Sequence, residues 1–255
     1  MPTNTPTSIA SCVLAAAIGA AAPSTRLTID PKYWALDIPI VSLEQPKGVA
    51  IVDTAGFTES KKLHPRNFAT YYHGLPIDFA IGPDYLNVHR LELGTLEGNA
   101  WTVTLDVQTR NGQTFAFASC TIGESRFRLL LDTAALAWTS SDSDRAFPFG
   151  VVFLTSQSFA NLRRSEPSWV YRPNGVQIMS ESGRFVDEPA VEAPKITCGD
   201  LTTTNVDVVE RSDSTTYDWF ANKFGQPIAG DASLAAFRGN GVVINLPAMQ
   251  LNVYR

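Results

Sequence analysis

Histidine and cysteine are scarce in this chain: three of each among 255 residues. His64, His73 and His89 offer no i, i+2 or i, i+4 pair, so their spacing fits no zinc-binding pattern and no metal is expected. Cys12, Cys120 and Cys198 show no CxxC spacing, and an odd, scattered set argues against a disulfide framework. Basic clusters are also missing. The net charge is -5, and Lys61-Lys62 and Arg163-Arg164 are the densest cationic spots. Gripping nucleic acid directly requires clustered cations to neutralise phosphates, so that class is excluded. No apolar run is long enough to span a bilayer. The first twenty-five residues carry no charge at all, and so lack the cationic start of a secretory signal.

Motifs that name a reaction are missing as well. There is no Walker A loop, GxGxxG, GxSxG, HExxH or EF-hand loop. Asp53-Thr54-Ala55-Gly56 resembles the DxxG switch of GTP-binding proteins, but no phosphate-cradling loop accompanies it. Asn222-Lys223 runs into Phe224-Gly225 where a guanine-reading Asp would stand. The same four residues resemble the Asp-Thr-Gly of aspartic proteases, yet Ala55 occupies the place where Gly should follow Thr, and a strand-ending turn accounts for them. Carboxylates such as Asp78, Asp84, Glu92 and Glu97 are plentiful without a pairing that sequence can reveal. Asp142 and Asp144 in the SSDSD run offer calcium ligands without the full loop signature, and a polar hairpin loop is the preferred reading. The expectation is a non-enzymatic protein with no catalytic residue, no cofactor and no metal.

What the chain does contain is β-structure. Trp101 to Ile122 comprises two alternating runs joined by Asn111-Gly112, the strongest short-range hairpin signal. A two-residue loop sets Arg110 opposite Gln113. Val107 then meets Ala116, Leu105 meets Ala118, Val103 meets Cys120 and Trp101 meets Ile122, an apolar face in which Cys120 packs as a small hydrophobe. The other face carries Phe115 and Phe117, more aromatic surface than an open strand displays, so a second layer, a loop or a partner is expected to cover part of it, and the two are candidate interface residues. Extended segments broken by Pro31 and Pro39 precede it, with a helical turn expected within 67–73; RFRLLLD, FGVVFLT and WVYRP follow as strands. One well-supported helix is predicted around Tyr217 to Phe224, capped by Asp213, Ser214 or Thr215 and stopped by Gly225 and Pro227.

The predicted fold is mainly β: an antiparallel, sandwich or jelly-roll-like core with an N-terminal arm and a small β-rich C-terminal unit containing one helix. The expected divisions are an uncharged arm at 1–25, a β-sandwich domain at 26–186, an acidic, proline-bearing linker at 187–195 and the C-terminal unit at 196–255. In the arm, Ile9, Val13, Leu14 and Ile18 approximate one helical stripe suited to burial against another subunit. Tyr71, Tyr72, Trp169 and Tyr171 lie in proline-flanked, loop-rich sequence and form a candidate aromatic binding surface.

The uncharged arm, the sandwich-like middle, the tethered C-terminal unit ending on a strand and the empty catalytic templates together resemble the β-rich structural proteins of tailed bacteriophage particles: decoration, tail or fibre-attachment components. That resemblance implies a virion subunit working by assembly with copies of itself and other virion proteins, with a host surface glycan as a further partner. The alternative is a secreted carbohydrate-binding module or glycan hydrolase, with the aromatics as a sugar platform.

Overall fold

The computed structural model describes residues 24–44, 47–55, 64–65, 75, 77–87, 89–110, 113–139, 148–180, 184–212, 217–218, 221–222, 225 and 227–255. Its first half holds β1 (Ser24–Ile29), α1 (Pro31–Trp34), β2 (Ile40–Glu44), β3 (Lys47–Val52), β4 (His64–Pro65), β5 (Phe79–Ile81), α2 (Pro83–Leu86), β6 (Arg90–Gly94), β7 (Ala100–Arg110), β8 (Gln113–Ile122) and β9 (Ser125–Leu131). There follow β10 (Leu136–Thr139), β11 (Phe149–Gly150), β12 (Val152–Thr155), α3 (Ser156–Ser165), β13 (Tyr171–Met179), β14 (Phe185–Ala193), β15 (Ile196–Cys198) and β16 (Leu201–Thr203). The chain closes with β17 (Val206–Arg211), β18 (Gly230–Ala232), a 3₁₀ turn at Leu234–Phe237, β19 (Gly241–Asn245) and β20 (Gln250–Tyr254).

The protein is mainly β, as its sequence predicts, and its pairing is mixed. The parallel ladders are β1 with β6, β3 with β5, β12 with β17, and β9 with β18. The two that matter most for the site read as unbroken apolar runs, Val49 to Val52 in β3 and Leu129 to Leu131 in β9. Strands covered on both faces have no solvent side to make polar.

The hairpin has the predicted register from Arg110↔Gln113 to Leu105↔Ala118. Beyond that point its arms part. Val103 meets Leu251 and Trp101 meets Val253 on β20, while Cys120 and Ile122 meet Cys198 and Ile196 on β15. The strand twist that splays a long two-stranded ribbon opens room for these partners. Cys120 and Cys198, directly opposite each other, form a disulfide with a Cα–Cα distance of 4.2 Å, so the expected free thiol is instead a cross-link.

Phe115 and Phe117, expected at an interface, are each 1% exposed. They pack within the chain against Phe153, Val176, Ile178 and Tyr217, and the Arg128 guanidinium lies 3.6 Å from the Phe117 ring centroid. On β8 both faces are internal, because Val176 and Ile178 of β13 and Phe153 of β12 cover the two phenylalanines, a layer that alternation alone does not reveal, whereas Thr102, Thr104 and Asp106 of β7 are exposed.

The expected divisions differ in the same way. Residues 187–193 of the anticipated linker lie inside β14, hydrogen-bonded to β13 on one side and β17 on the other. The segment after it is woven into the rest: β18 sits between β9 and β12, and the β19–β20 hairpin between β6 and β7. Polar residues at 187, 188 and 192 read as linker composition, yet Glu188 is buried and accepts a hydrogen bond from the Ser212 hydroxyl. Residues 1–23 of the arm, with Ile9, Val13, Leu14 and Ile18, lie outside the described residues, as do the turn expected within 67–73, Asp142 and Asp144.

A short helix, α1, replaces part of a stretch read as extended, and α2 is a second one of the same length. Asp30 caps α1 by accepting from Lys32 N at 3.0 Å, with Pro31 in the first turn, and Pro83 opens α2 in the same way. α3 is capped by Thr155, whose hydroxyl accepts from Ser158 N, and places Arg163 and Arg164 in its exposed last turn. The helix predicted near residue 217 is present at Tyr217, Asp218, Ala221 and Asn222. It stops as expected at Gly225, whose φ of 67° is a left-handed cap.

Candidate active site

Two strands end in the same three residues. β3 runs into Asp53-Thr54-Ala55, and β9 into Asp132-Thr133-Ala134. Each strand has a parallel neighbour that meets it at its last residue: Val52 pairs with Ile81 of β5, and Leu131 with Ala232 of β18. Each aspartate continues its ladder by one bond. Asp53 N donates to Ile81 O at 2.9 Å, and Asp132 N to Ala232 O at 3.0 Å. The turn after each strand is closed by its own carboxylate. Asp53 Oδ1 accepts from Ala55 N at 3.2 Å, and Asp132 Oδ1 from Ala134 N at 3.0 Å.

The two turns are locked together through their threonines. Thr54 Oγ1 donates to Leu131 O at 2.6 Å, and Thr133 Oγ1 to Val52 O at 2.5 Å. In return Thr54 N donates to Thr133 Oγ1 at 3.2 Å, and Thr133 N to Thr54 Oγ1 at 3.0 Å. Each hydroxyl therefore donates across the junction and accepts across it, a use that only a hydroxyl side chain allows. Thr54 is 1% exposed and Thr133 fully buried, so no water competes for these four bonds. The reciprocity brings the two strand ends, and with them Asp53 and Asp132, to one junction.

The electrostatics agree with this placement. The Asp132 carboxyl is pushed well above its ordinary value of 3.8, first by burial, then by the charge of Asp231 and that of Asp53; Ala134 N and Arg211 pull the other way. Asp231, on β18, is 3% exposed and accepts a hydrogen bond from the Tyr217 hydroxyl at 2.8 Å. Burial and the neighbouring Asp231 also push the Tyr217 hydroxyl well above its ordinary value, so it remains a donor. β18 reaches this position because Gly230, with φ 159°, lets its backbone approach Phe153, whose carbonyl a Cβ would strike. Such a set of close carboxyl groups can hold a shared proton, and with it activate a water as base while donating as acid.

Asp53 was legible as a motif fragment, and Ala55 was the reason to set it aside. Neither Ala55 nor Ala134 has a positive φ, so neither position demands glycine. The Ala55 methyl packs in the cluster containing Phe117, Phe153 and Ile228. The signal that sequence reading missed is repetition: an apolar strand ending in Asp-Thr-Ala occurs twice.

Trp169 is half-buried against the main core. Tyr171 is 38% exposed and carries the Arg163 guanidinium 3.5 Å above its ring centroid. Tyr71 and Tyr72 lie outside the described residues. His89 stacks beside Tyr85 with centroids 4.2 Å apart. No helix among the described residues is long and apolar enough to cross a membrane.

No protein-family profile matches the chain, and no curated protein sequence does. Among solved structures, the crystal structure of a retropepsin-like aspartic protease from Rickettsia conorii is similar at a TM-score of 0.36 and 11% identity, over 63% of this chain and 95% of that one. A superposition that loose carries no argument, and the functional reading rests on the geometry above.

Proposed function

We propose that the chain is a hydrolase of the aspartic peptidase type, with Asp53 and Asp132 as its paired catalytic residues. One observation carries this reading: the reciprocal Thr54–Thr133 hydrogen bonds that hold two Asp-Thr-Ala turns against each other, leaving one carboxyl from each at the junction. A structural protein gains nothing from two such acids, Asp53 buried and Asp132 partly so, whose opposed charges raise the free energy of the folded state. A hydrolase does, because like charges so close cannot both ionise, and the pair then offers one base and one acid.

The chemistry follows from that pair. The ionised carboxylate takes a proton from a water held between the two, and the water oxygen adds to the carbon of a peptide carbonyl. The protonated partner gives its proton to the carbonyl oxygen, so a neutral tetrahedral diol forms without a free hydroxide. One carboxyl then gives its proton to the amide nitrogen while the other takes a proton from a diol hydroxyl; the C–N bond breaks, an amine and a carboxylic acid leave, and the pair again holds a single proton.

The virion-subunit reading gains no support from a described residue, since its aromatic hairpin face is internal. The glycan reading likewise finds no assembled aromatic platform among the described residues. The test is hydrolysis of an unstructured protein substrate across acid to neutral pH, with peptide products identified by mass spectrometry. Cleavage by the wild type and its loss in D53N and D132N is expected. Equal cleavage by the variants would refute the assignment.

A further inference from the structure

The two turns are matched in their backbone bonds and in their threonines, but not in their surroundings. In the first ladder Ile51 pairs with Ala80; in the second the equivalent Leu130 pairs with Asp231. Asp231 therefore stands on the second ladder where an apolar methyl stands on the first. Opposite Leu130, it lies on the same face as Asp132, two residues further along β9. That face is the one on which Leu130, Phe153, Val209 and Tyr217 pack, and from it the Tyr217 hydroxyl reaches Asp231 Oδ2 at 2.8 Å.

We propose that Asp231, gripped by the Tyr217 hydroxyl, is a positioning residue that keeps the shared proton on Asp132, making Asp132 the acid and Asp53 the base. This rests on the aspartic peptidase reading and adds an order to its two carboxyls. Among the described residues, the charged groups that act on Asp132 are Asp53 from the end of β3, Asp231 from β18 and Arg211 from the end of β17, with Tyr217 hydrogen-bonded to Asp231. Asp231 raises Asp132 more than Asp53 does, and it reaches Asp132 from the neighbouring strand of the second ladder. Tyr217 acts indirectly: by donating to the Asp231 carboxylate it favours the charged form, which in turn favours a proton on Asp132. The acid is thus assigned by an asymmetry built into the second ladder before substrate arrives.

The sign of the effect is fixed. The acid member must be protonated to act, so its folded value sets the alkaline limb of the kcat profile. Replacing Asp231 by Asn removes a neighbouring negative charge, and the limb should move toward lower pH, by about one pH unit for a charge at this range. Y217F keeps the ring and its packing but loses the donor, and should move the limb the same way by less. A merely structural role would change melting temperature and leave the limb in place.

The experiment measures kcat against pH for peptide hydrolysis by the whole chain as wild type, D231N and Y217F, with D53N and D132N beside them. In parallel, ¹³C NMR follows the titration of the Asp132 carboxyl in wild type, D231N and Y217F, a readout that needs no substrate. A lower limb and a lower Asp132 titration in D231N support the proposal. An unchanged or raised titration in both D231N and Y217F overturns it. Should D53N and D132N lose hydrolysis while D231N leaves the limb unmoved, the proton assignment fails and the peptidase reading stands. Hydrolysis retained in D53N and D132N would overturn both.

Discussion

Removing one threonine hydroxyl from the junction should destabilise the whole protein, because the four bonds that join the two strand ends are all buried. Thr54→Val keeps the shape of the side chain and deletes two bonds, from Thr54 Oγ1 to Leu131 O and from Thr133 N to Thr54 Oγ1. Leu131 O and Thr133 N are then left buried without partners. Each orphaned group costs about 1–3 kcal/mol, partly offset by the added methyl, so T54V should lose about 3 kcal/mol. For a chain of this size that is a fall of roughly 6–12 °C in melting temperature. Thr133→Val deletes the other two bonds and should cost a similar amount. The double variant should cost less than the sum, because once one side opens, water reaches the groups orphaned on the other. Thr54→Ser, which keeps the hydroxyl, should stay within about 1 kcal/mol of wild type. The assay is urea unfolding and thermal melting followed by circular dichroism. A T54V protein melting within about 2 °C of wild type would refute the idea that these four bonds hold the site together.

Two further outcomes are expected of stability. Because the Asp132 carboxyl is raised by burial and by Asp231 and Asp53, it binds its proton more tightly folded than unfolded. Its contribution is complete below the ordinary carboxylate value of 3.8 and is lost as pH rises through its folded value. D132N should therefore melt with wild type near pH 3 and above it at pH 7; a wild type that gains on D132N as pH rises would contradict this. The Cys120–Cys198 disulfide closes a loop with a sequence separation of 78 residues, worth about 4 kcal/mol of unfolded-chain entropy. The double serine variant should melt roughly 8–16 °C below the oxidised protein, whereas matching melting temperatures with and without reductant would remove that contribution.

How much of this was legible in sequence depends on the distance over which the determining contacts act. The register from Arg110↔Gln113 to Leu105↔Ala118 is set by a two-residue loop, and the stop at Gly225 by one residue's conformation; both were readable. The parting of β7 from β8 at Val103 was not, because it depends on β20 and β15 arriving from the far end of the chain. The Cys120–Cys198 bond was hidden for the same reason. Phe115 and Phe117 were correctly read as needing cover, but alternation cannot say whether the cover is the same chain or another. At the site, Asp53-Thr54 was visible and its partner was not. RFRLLLD was read as a strand ending at Asp132, one residue short of the repeat that pairs it with Asp53. Asp231 carries no local signal at all: its meaning comes from lying opposite Leu130 in a parallel ladder whose strands are far apart in sequence.

The claim that Asp53 and Asp132 act as one unit is tested most directly by kcat/KM for peptide hydrolysis in wild type, D53N, D132N and the double variant. Melting curves should be recorded alongside to show that each is folded. If the two carboxyls share one proton and one water, either substitution alone should lower kcat/KM by about 10³-fold or more, and the double substitution should lose little beyond that. Losses that multiply in the double variant, or hydrolysis that survives either single substitution, would contradict the account.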